Sequence, residues 1–124
     1  MPAHETKTDK RLLGTWRSDR RRTLKEWVWR RGATAKQRKF IRDMFGHLTI
    51  RYTRQRMRSE FKGHKDSQRY EVIGSDSDSV AIMSYVDWME ERTIYHIHFE
   101  DDRHYWIAIG RQREWFRRVT NRAA

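Results

Sequence analysis

Three histidines have the most recognisable metal-ligand spacing in the chain. His96 and His98 lie two residues apart on a predicted strand, so their side chains point to the same face. His104 follows the short predicted turn 101–103 and would be their neighbour on the next strand. A His-x-His pair with a third histidine nearby is a spacing that suits zinc.

The same stretch also has an interpretation without a metal. Tyr95, Ile97 and Phe99 alternate with the first two histidines and make the more regular apolar face. This alternation favours an inward apolar face and leaves the histidines in solvent. We therefore expect no metal and no cofactor, and keep the three histidines as the alternative.

Other catalytic patterns are incomplete. Glu100, Asp101 and Asp102 are consecutive acids at a predicted turn, whereas catalytic carboxylates need a defined separation and one buried member. Serine, histidine and aspartate are all present, but no nucleophile elbow holds them. The chain contains no cysteine, which excludes disulfides, zinc–thiolate sites and cysteine nucleophiles. We expect a protein that is not an enzyme.

The last predicted strand, 113–119, carries two cations and an indole on one face: Arg113, Trp115 and Arg117. If that face is interior, Arg113 and Trp115 line a cavity, and the guanidinium would hold a ligand carboxylate through two hydrogen bonds. A buried arginine needs an anionic partner, which a carboxylate of the protein would also supply. Arg117 instead fits a role as a plug stacked on Trp16.

A second group of cations follows a predicted strand in the middle of the chain. Basic and aromatic residues interleave there from Arg51 onward, and alternation would put Arg54, Arg56 and Arg58 together on an outer face. With a net charge of +11, such a surface attracts nucleic acid. The alternative is a charged strand edge that prevents aggregation.

The composition fits one globular domain of 124 residues. Six tryptophans, five tyrosines and five phenylalanines supply the core, although only 36% of the residues are hydrophobic. We expect polar tails at 1–10 and 121–124 around a domain at 11–120. The first ten residues lack a signal-peptide core, no apolar run reaches membrane-spanning length, and the absence of cysteine suits a reducing compartment. We expect a cytoplasmic protein.

These candidate residues must be positioned mainly by strands. A first strand at 11–18 precedes two predicted helices: 20–31, with Thr23 as its cap and Glu26 completing a capping box, and a second one from Thr34 to residue 45. After Gly46 the apolar period changes to two. The further predicted strands are 48–53, 57–62, 70–73, 80–88, 93–100, 104–109 and 113–119. About eight short strands with short connections predict an antiparallel up-and-down β-barrel with a helical insertion after the first strand.

The order of these features resembles the calycin group, which contains the lipocalins and fatty-acid-binding proteins. Gly14-Thr15-Trp16 matches the Gly-x-Trp of their first strand, and the helical hairpin is similar to the lid of fatty-acid-binding proteins. The resemblance implies that Arg117 or Arg118 packs across Trp16. It also implies that Arg113-x-Trp115 corresponds to an Arg-x-Tyr pair that holds a carboxylate, with tryptophan in place of tyrosine.

The sequence therefore predicts a lipocalin-like domain that binds a small apolar or amphipathic ligand, including one with a carboxylate, inside a barrel. Nucleic-acid binding through the outer surface is the alternative. The predicted cavity residues are Tyr52, Phe61, Tyr70, Ile82, Ile107, Arg113 and Trp115. The predicted closure residues are Gly14, Trp16, Arg117 and Arg118. The residues of the nucleic-acid alternative are Arg51, Arg54, Arg56 and Arg58.

Overall fold

The protein is an eight-stranded antiparallel β-barrel, closed by its first and last strands. The computed structural model describes residues 8–86 and 91–119. The strands are β1 (Gly14–Ser18), β2 (Leu48–Tyr52), β3 (Arg56–Phe61), β4 (His64–Ser75), β5 (Ser79–Val86), β6 (Glu91–Phe99), β7 (His104–Ile109) and β8 (Gln112–Arg118). Two helices, α1 (Arg20–Glu26) and α2 (Ala35–Met44), separate β1 from β2. The predicted fold class is confirmed.

Closure depends on β1, which pairs with β2 on one side and with β8 on the other. In the second pairing Trp16 lies opposite Arg118, and Ser18 lies opposite Phe116. Because β1 and β8 complete the ring, this pairing leaves no free sheet edge between them. The expectation that the first and last strands meet near Trp16 is confirmed.

The first strand is shorter than predicted. The predicted strand 11–18 begins only at Gly14, because residues 10–12 form a turn in which the Leu12 amide donates to the Asp9 carbonyl at 3.0 Å. Leu12 is nevertheless fully buried. Its carbonyl accepts a hydrogen bond from Trp16 Nε1 at 2.8 Å, so the turn covers one end of the barrel.

The first helix also differs from the prediction. Asp19 caps it by accepting a hydrogen bond from the Arg22 amide, and it ends at Glu26 rather than at residue 31. The predicted cap, Thr23, is fully buried, and its hydroxyl accepts a hydrogen bond from a strand amide instead. Beyond the helix, the Gln112 side-chain amide bonds to both backbone groups of Val28, at 3.1 and 2.7 Å, which replaces helical hydrogen bonds there.

The second helix follows the prediction closely. Thr34 caps it, and Gln37 completes a capping box. No residue of α2 is buried, and Phe40 is 69% exposed. The helix therefore contributes nothing to the barrel core.

The fourth strand is much longer than predicted. Lys62 and Gly63 both have positive φ, 50° and 82°, and form a two-residue turn, so β4 begins at His64. Residues 64–69, which lie outside the predicted strands, therefore belong to β4, and the predicted strand 70–73 is correct but too short. After an irregularity between Val72 and Gly74, β4 continues to Ser75, beyond the end of the predicted strand.

The remaining boundaries agree with the prediction to within a few residues. The predicted end of the fifth strand at residue 88 lies outside the described residues, as do residues 1–7 of the predicted N-terminal tail and the C-terminal tail at 121–124. The barrel core consists of inward-facing side chains. Its buried apolar members are Leu12, Trp16, Ile50, Tyr52, Met57, Tyr70, Val80, Ile82, Ile97, Tyr105 and Phe116.

Candidate functional site

One end of the barrel is filled by the Trp16 indole. The ring is fully buried, and the Tyr105 ring lies 4.6 Å from it, centroid to centroid. The Arg118 guanidinium covers the other side, with its central carbon 4.2 Å from the centroid of the indole. Gly14 is adjacent, with φ of +117°, and a Cβ there would lie 2.8 Å from Arg118 Nη1. The glycine is needed because the guanidinium occupies the space of a side chain.

The two candidate closure arginines have different positions. Arg118 lies over Trp16, whereas Arg117 points to the outer face and is exposed. Alternation along β8 explains the difference, since Phe116 and Arg118 face inward together. The interpretation of Arg117 as the plug on Trp16 is wrong, and Arg118 has that role.

The other half of the barrel contains a cavity of about 240 Å³. Its walls come from inward-facing residues of six strands, and most of them are apolar or phenolic. The lining residues are Leu48, Ile50, Tyr52, Met57, Ser59, Gln68, Tyr95, Ile97, Tyr105, Ile107 and Phe116.

The cavity has a buried floor and a partly exposed rim. Tyr52 and Tyr105 lie at the floor, with 4% and 1% of their surfaces exposed. Their hydroxyl oxygens are 3.1 Å apart and share a hydrogen bond. Burial raises the pKa of both phenols, so both stay neutral at physiological pH. The rim includes half-buried Leu48 and Ile107, so a ligand would enter on their side.

The predicted cavity residues are only partly brought together. Tyr52 and Ile107 line the cavity. Tyr70 and Ile82 face inward and are buried, but they belong to the packed part of the core and do not line the cavity. Phe61 lies on the inner face at the end of β3 and is 39% exposed, outside the lining.

Arg113 and Trp115 lie outside the barrel, so their prediction as cavity residues is wrong. Arg113 is exposed, and its guanidinium carbon lies 4.1 Å from the centroid of the outer-face Trp106 ring. Trp115 is buried beneath α1, where Arg22 covers its ring at 3.5 Å and Glu26 accepts from its indole nitrogen. The packing of α1 against β8, and not the barrel interior, buries this indole.

The inner face of β8 contains a carboxyl group that was not predicted as a site residue. Glu114 is 9% exposed, and its Oε2 accepts a hydrogen bond from Ser18 Oγ at 2.7 Å. Burial raises its pKa. Ser18 Oγ itself accepts from the Gly46 amide at 3.0 Å, so this network joins β8, β1 and the end of the helical insertion. The clue in the sequence was the alternation that pairs Glu114 with Phe116 on one face.

The three histidines do not form one site. His96 and His98 are adjacent on the outer face, with ring centroids 4.0 Å apart, and His98 stacks on Trp106 at 3.9 Å. His104 lies apart from them, and its Nδ1 is 2.9 Å from Asp101 Oδ1. The His98 ring lies between the rings of His96 and Trp106. Desolvation at this position and the nearby His96 lower the pKa of His98.

Within the described residues, the ligand atoms that converge belong to Glu100, Asp101 and His104. These groups already have partners, because Arg22 bonds to both carboxylate oxygens of Glu100 and Asp101 bonds to His104. The three residues form a surface turn that is held by these hydrogen bonds.

The basic residues of the nucleic-acid alternative lie on the outer face of β2 and β3, except Arg54, which lies in the turn between these strands. Arg51 and Arg58 are directly opposite each other and both exposed. Arg56 lies opposite Arg69 and bonds to Ser67 Oγ through Nε at 2.9 Å. The expectation that Arg54, Arg56 and Arg58 lie together on an outer face is confirmed for Arg56 and Arg58 and is wrong for Arg54, which lies in the turn before β3.

A larger groove of about 860 Å³ lies outside the barrel, between residues 27–33 and α2. Val28 and Phe40 contribute to it and are 73% and 69% exposed. A ligand in this groove would keep much of its surface in water, whereas the interior cavity removes a ligand from solvent. The interior cavity is therefore the stronger candidate for a small-molecule site.

None of the helices in the described part of the chain has the length and apolar character needed to cross a membrane. No protein-family model matches the sequence, and neither a curated protein nor a solved structure matches it.

Proposed function

We propose that the protein binds a small, neutral, mainly apolar molecule in the cavity inside the barrel, as a lipocalin-like ligand carrier. The single observation that carries this proposal is the cavity of about 240 Å³, with an apolar and phenolic lining and a buried floor. Well-packed interiors contain few voids larger than a water molecule. We therefore infer that a space of this size on the inner face of the barrel is a ligand-binding site.

The volume sets the size of the ligand. An engineered apolar cavity of about 150 Å³ accommodates benzene. The cavity here, about 240 Å³, is larger by about 60%, which suits one substituted ring or two small fused rings. A long acyl chain would have to extend past Leu48 and Ile107 at the rim.

The charges around the cavity favour a neutral ligand. Among the described residues, none that lines the cavity is a cation, and the predicted carboxylate partner, Arg113, is on the outer face. Glu114 lies beside Ile107 across the strands and would repel an anion if it ionised. A carboxylate inside the barrel would thus lack the paired cation that a buried charge requires.

The proposal is tested with α-methylstyrene, a neutral one-ring probe, in a titration followed by methyl NMR of labelled isoleucines. The signals of the lining residues Ile50, Ile97 and Ile107 are expected to shift and saturate, while exposed Ile94 on the outer face of β6 stays unchanged.

Ile107→Phe should place a larger side chain at the rim of the cavity and weaken the binding that shifts Ile50 and Ile97. Ile94→Phe is the matched control, because it adds the same ring to the outer face and should leave binding intact. Failure of the probe to bind the parent protein, or equal binding by both variants, would reject the cavity as the site.

A second candidate function is binding of single-stranded nucleic acid, and one observation favours it. Arg51 and Arg58 are cross-strand neighbours, and like charges directly opposite one another are destabilising. Within the described residues no carboxylate pairs with either of them. A phosphate backbone along this face would relieve the repulsion.

This candidate is tested by fluorescence anisotropy with a labelled deoxythymidine oligonucleotide over a series of salt concentrations. Arg51→Glu with Arg58→Glu should weaken binding and reduce the salt slope by about 1.4, since each phosphate contact to a single strand contributes about 0.7. Arg21→Glu with Lys25→Glu makes the same charge change on exposed positions of α1. Equal losses in the two double variants would mean that the interaction follows net charge alone.

A further inference from the structure

The hydroxyl groups at the floor of the cavity have one proton that takes part in no hydrogen bond within the described residues. Tyr52 and Tyr105 each carry one hydroxyl proton, and their oxygens are 3.1 Å apart. Only one of the two protons lies in this mutual hydrogen bond. Within the described residues neither hydroxyl has another hydrogen-bond partner. One O–H group at the floor is therefore left without a protein acceptor.

A nearby tyrosine shows the contrast. The Tyr70 hydroxyl donates to the backbone carbonyl of Thr53, so its proton is satisfied by the protein. The Tyr70 ring packs edge-on against Tyr52 with centroids 5.8 Å apart, which helps to fix the Tyr52 ring in place. On the other side, the Tyr105 ring stacks on Phe116 at 4.9 Å. The two rings are thus held by their neighbours, so the hydroxyl oxygens stay at the floor while each proton can rotate about its C–O bond.

The unused donor has an energetic consequence. A buried polar group without a partner loses its interaction with water and gains nothing in exchange. Orphaned donors are rarer in proteins than acceptors with an unused lone pair. The free O–H therefore favours a ligand that brings an acceptor over one that brings another donor. Because both phenols line the cavity, an acceptor that reaches the floor meets them directly.

We propose that the Tyr52–Tyr105 pair recognises a hydrogen-bond acceptor on the ligand, so that the ligand class is small neutral aromatic or cyclic carbonyl compounds. The inference rests on the proposed function, since it assumes that the cavity is a binding site. The carbonyl oxygen would lie against the floor and the apolar part of the molecule would lie among the aliphatic walls and rim. Burial keeps both phenols protonated, which maintains their ability to donate.

The test uses two probes of nearly the same shape. Acetophenone has a carbonyl oxygen where α-methylstyrene has a methylene carbon, so only the ketone can accept a hydrogen bond. Dissociation constants of both are measured by the isoleucine methyl titration for the parent protein and for Tyr52→Phe, Tyr105→Phe and the double variant. The ratio of the two dissociation constants measures the contribution of the hydrogen bond to the carbonyl. The dissociation constant of the alkene alone measures binding to the cavity without that hydrogen bond.

In either single variant the remaining hydroxyl no longer shares its proton, so the ketone should bind as well as it does to the parent. In the double variant no donor remains, and the affinity for the ketone relative to the alkene should fall about threefold to tenfold, which is what one net hydrogen bond contributes. Alkene binding should persist in all three variants. Replacing both phenols by phenylalanine leaves no orphaned partner, so the double variant is expected to fold.

The possible failures are distinguishable. If the alkene does not bind the parent protein, the cavity is not a site and both proposals fall. If the alkene binds all proteins and the ketone-to-alkene ratio is the same in the double variant as in the parent, the cavity stands and the acceptor contact is refuted. Thermal unfolding of each variant checks that the lining is intact, with the Ile97 methyl shift as a second readout.

Discussion

Replacement of Arg118 should destabilise the barrel more than replacement of any neighbouring surface cation. Its guanidinium lies on Trp16 and donates hydrogen bonds to three main-chain carbonyls, those of Arg11 at 2.7 Å, Leu13 at 2.6 Å and Asp102 at 2.8 Å. One side chain therefore joins the N-terminal turn, β8 and the connection between β6 and β7.

The magnitude follows from these contacts. Hydrogen bonds from a charged donor are worth about 1.5–3 kcal/mol each, but Arg118 is half-buried, so we take about 1 kcal/mol for each of its three. The cation–π contact adds about 1 kcal/mol. Arg118→Met, which keeps the aliphatic stem, should thus cost about 4 kcal/mol. At roughly 3–5 °C per kcal/mol for a domain of this length, the melting temperature should fall by about 12–20 °C.

The assay is urea and thermal unfolding followed by circular dichroism. Arg117→Met provides the matched control, because Arg117 is the exposed neighbour on the opposite face, and its cost should stay within about 0.5 kcal/mol. Arg118→Lys should fall between, since an ammonium group keeps the charge but not the planar fork. Equal losses for Arg117→Met and Arg118→Met would refute the assignment of the closure to Arg118.

Three further predictions concern backbone space, helix docking and pH. Gly14→Ala should cost about 1–3 kcal/mol, because φ is +117° and the new Cβ would meet the guanidinium at 2.8 Å, while Gly74→Ala, with open space around it, should be nearly neutral in the same unfolding assay. Thr23→Val should cost about 1–3 kcal/mol by leaving the buried amide of Trp115 without its acceptor, with amide hydrogen exchange at that position accelerated. The pKa of Glu114 is raised in the folded state, so stability is greatest below the ordinary carboxyl pKa and is lost as the pH rises toward the folded value. Glu114→Gln should therefore be more stable than the parent at pH 7 and lose this advantage at pH 4; a constant difference across that range would contradict the shift.

The sequence was sufficient for the fold class because its local signals agree. Alternating apolar residues, short turn segments and a glycine before Trp16 all indicate a closed meander. The Thr34 capping box likewise depends only on residues close in the sequence, so α2 could be placed from its own side chains. These features need no information from distant strands.

The first helix could not be bounded in the same way. Residues 27–31 have a helical pattern. The side chain of Gln112, which is distant in the sequence, instead forms hydrogen bonds with both the amide and the carbonyl of Val28. The turn at Lys62 and Gly63 was also missed, because only the glycine is typical of such a turn and Lys62 adopts positive φ without a local signal. In both places tertiary contacts override the local preference.

The candidate site was predicted only in part because both faces of β8 carry large aromatics. Trp115 and Phe116 are adjacent and both buried, one beneath α1 and one in the barrel. Apolar character alone cannot show which face of such a strand is the inner one, and a one-residue error exchanges the two faces. The error placed Arg113 on the inner face of β8 and left Glu114, which lies on that face, unnoticed.

The pairing of β1 with β8 has a consequence for how the chain folds. Trp16 finds its cross-strand partner Arg118 only after roughly a hundred residues of intervening sequence have been ordered or looped out. Non-local pairings of this kind raise the contact order and slow folding. During synthesis, one edge of β1 therefore stays unpaired until the residues of β8 leave the ribosome. Until then, Arg118 cannot cover the Trp16 indole.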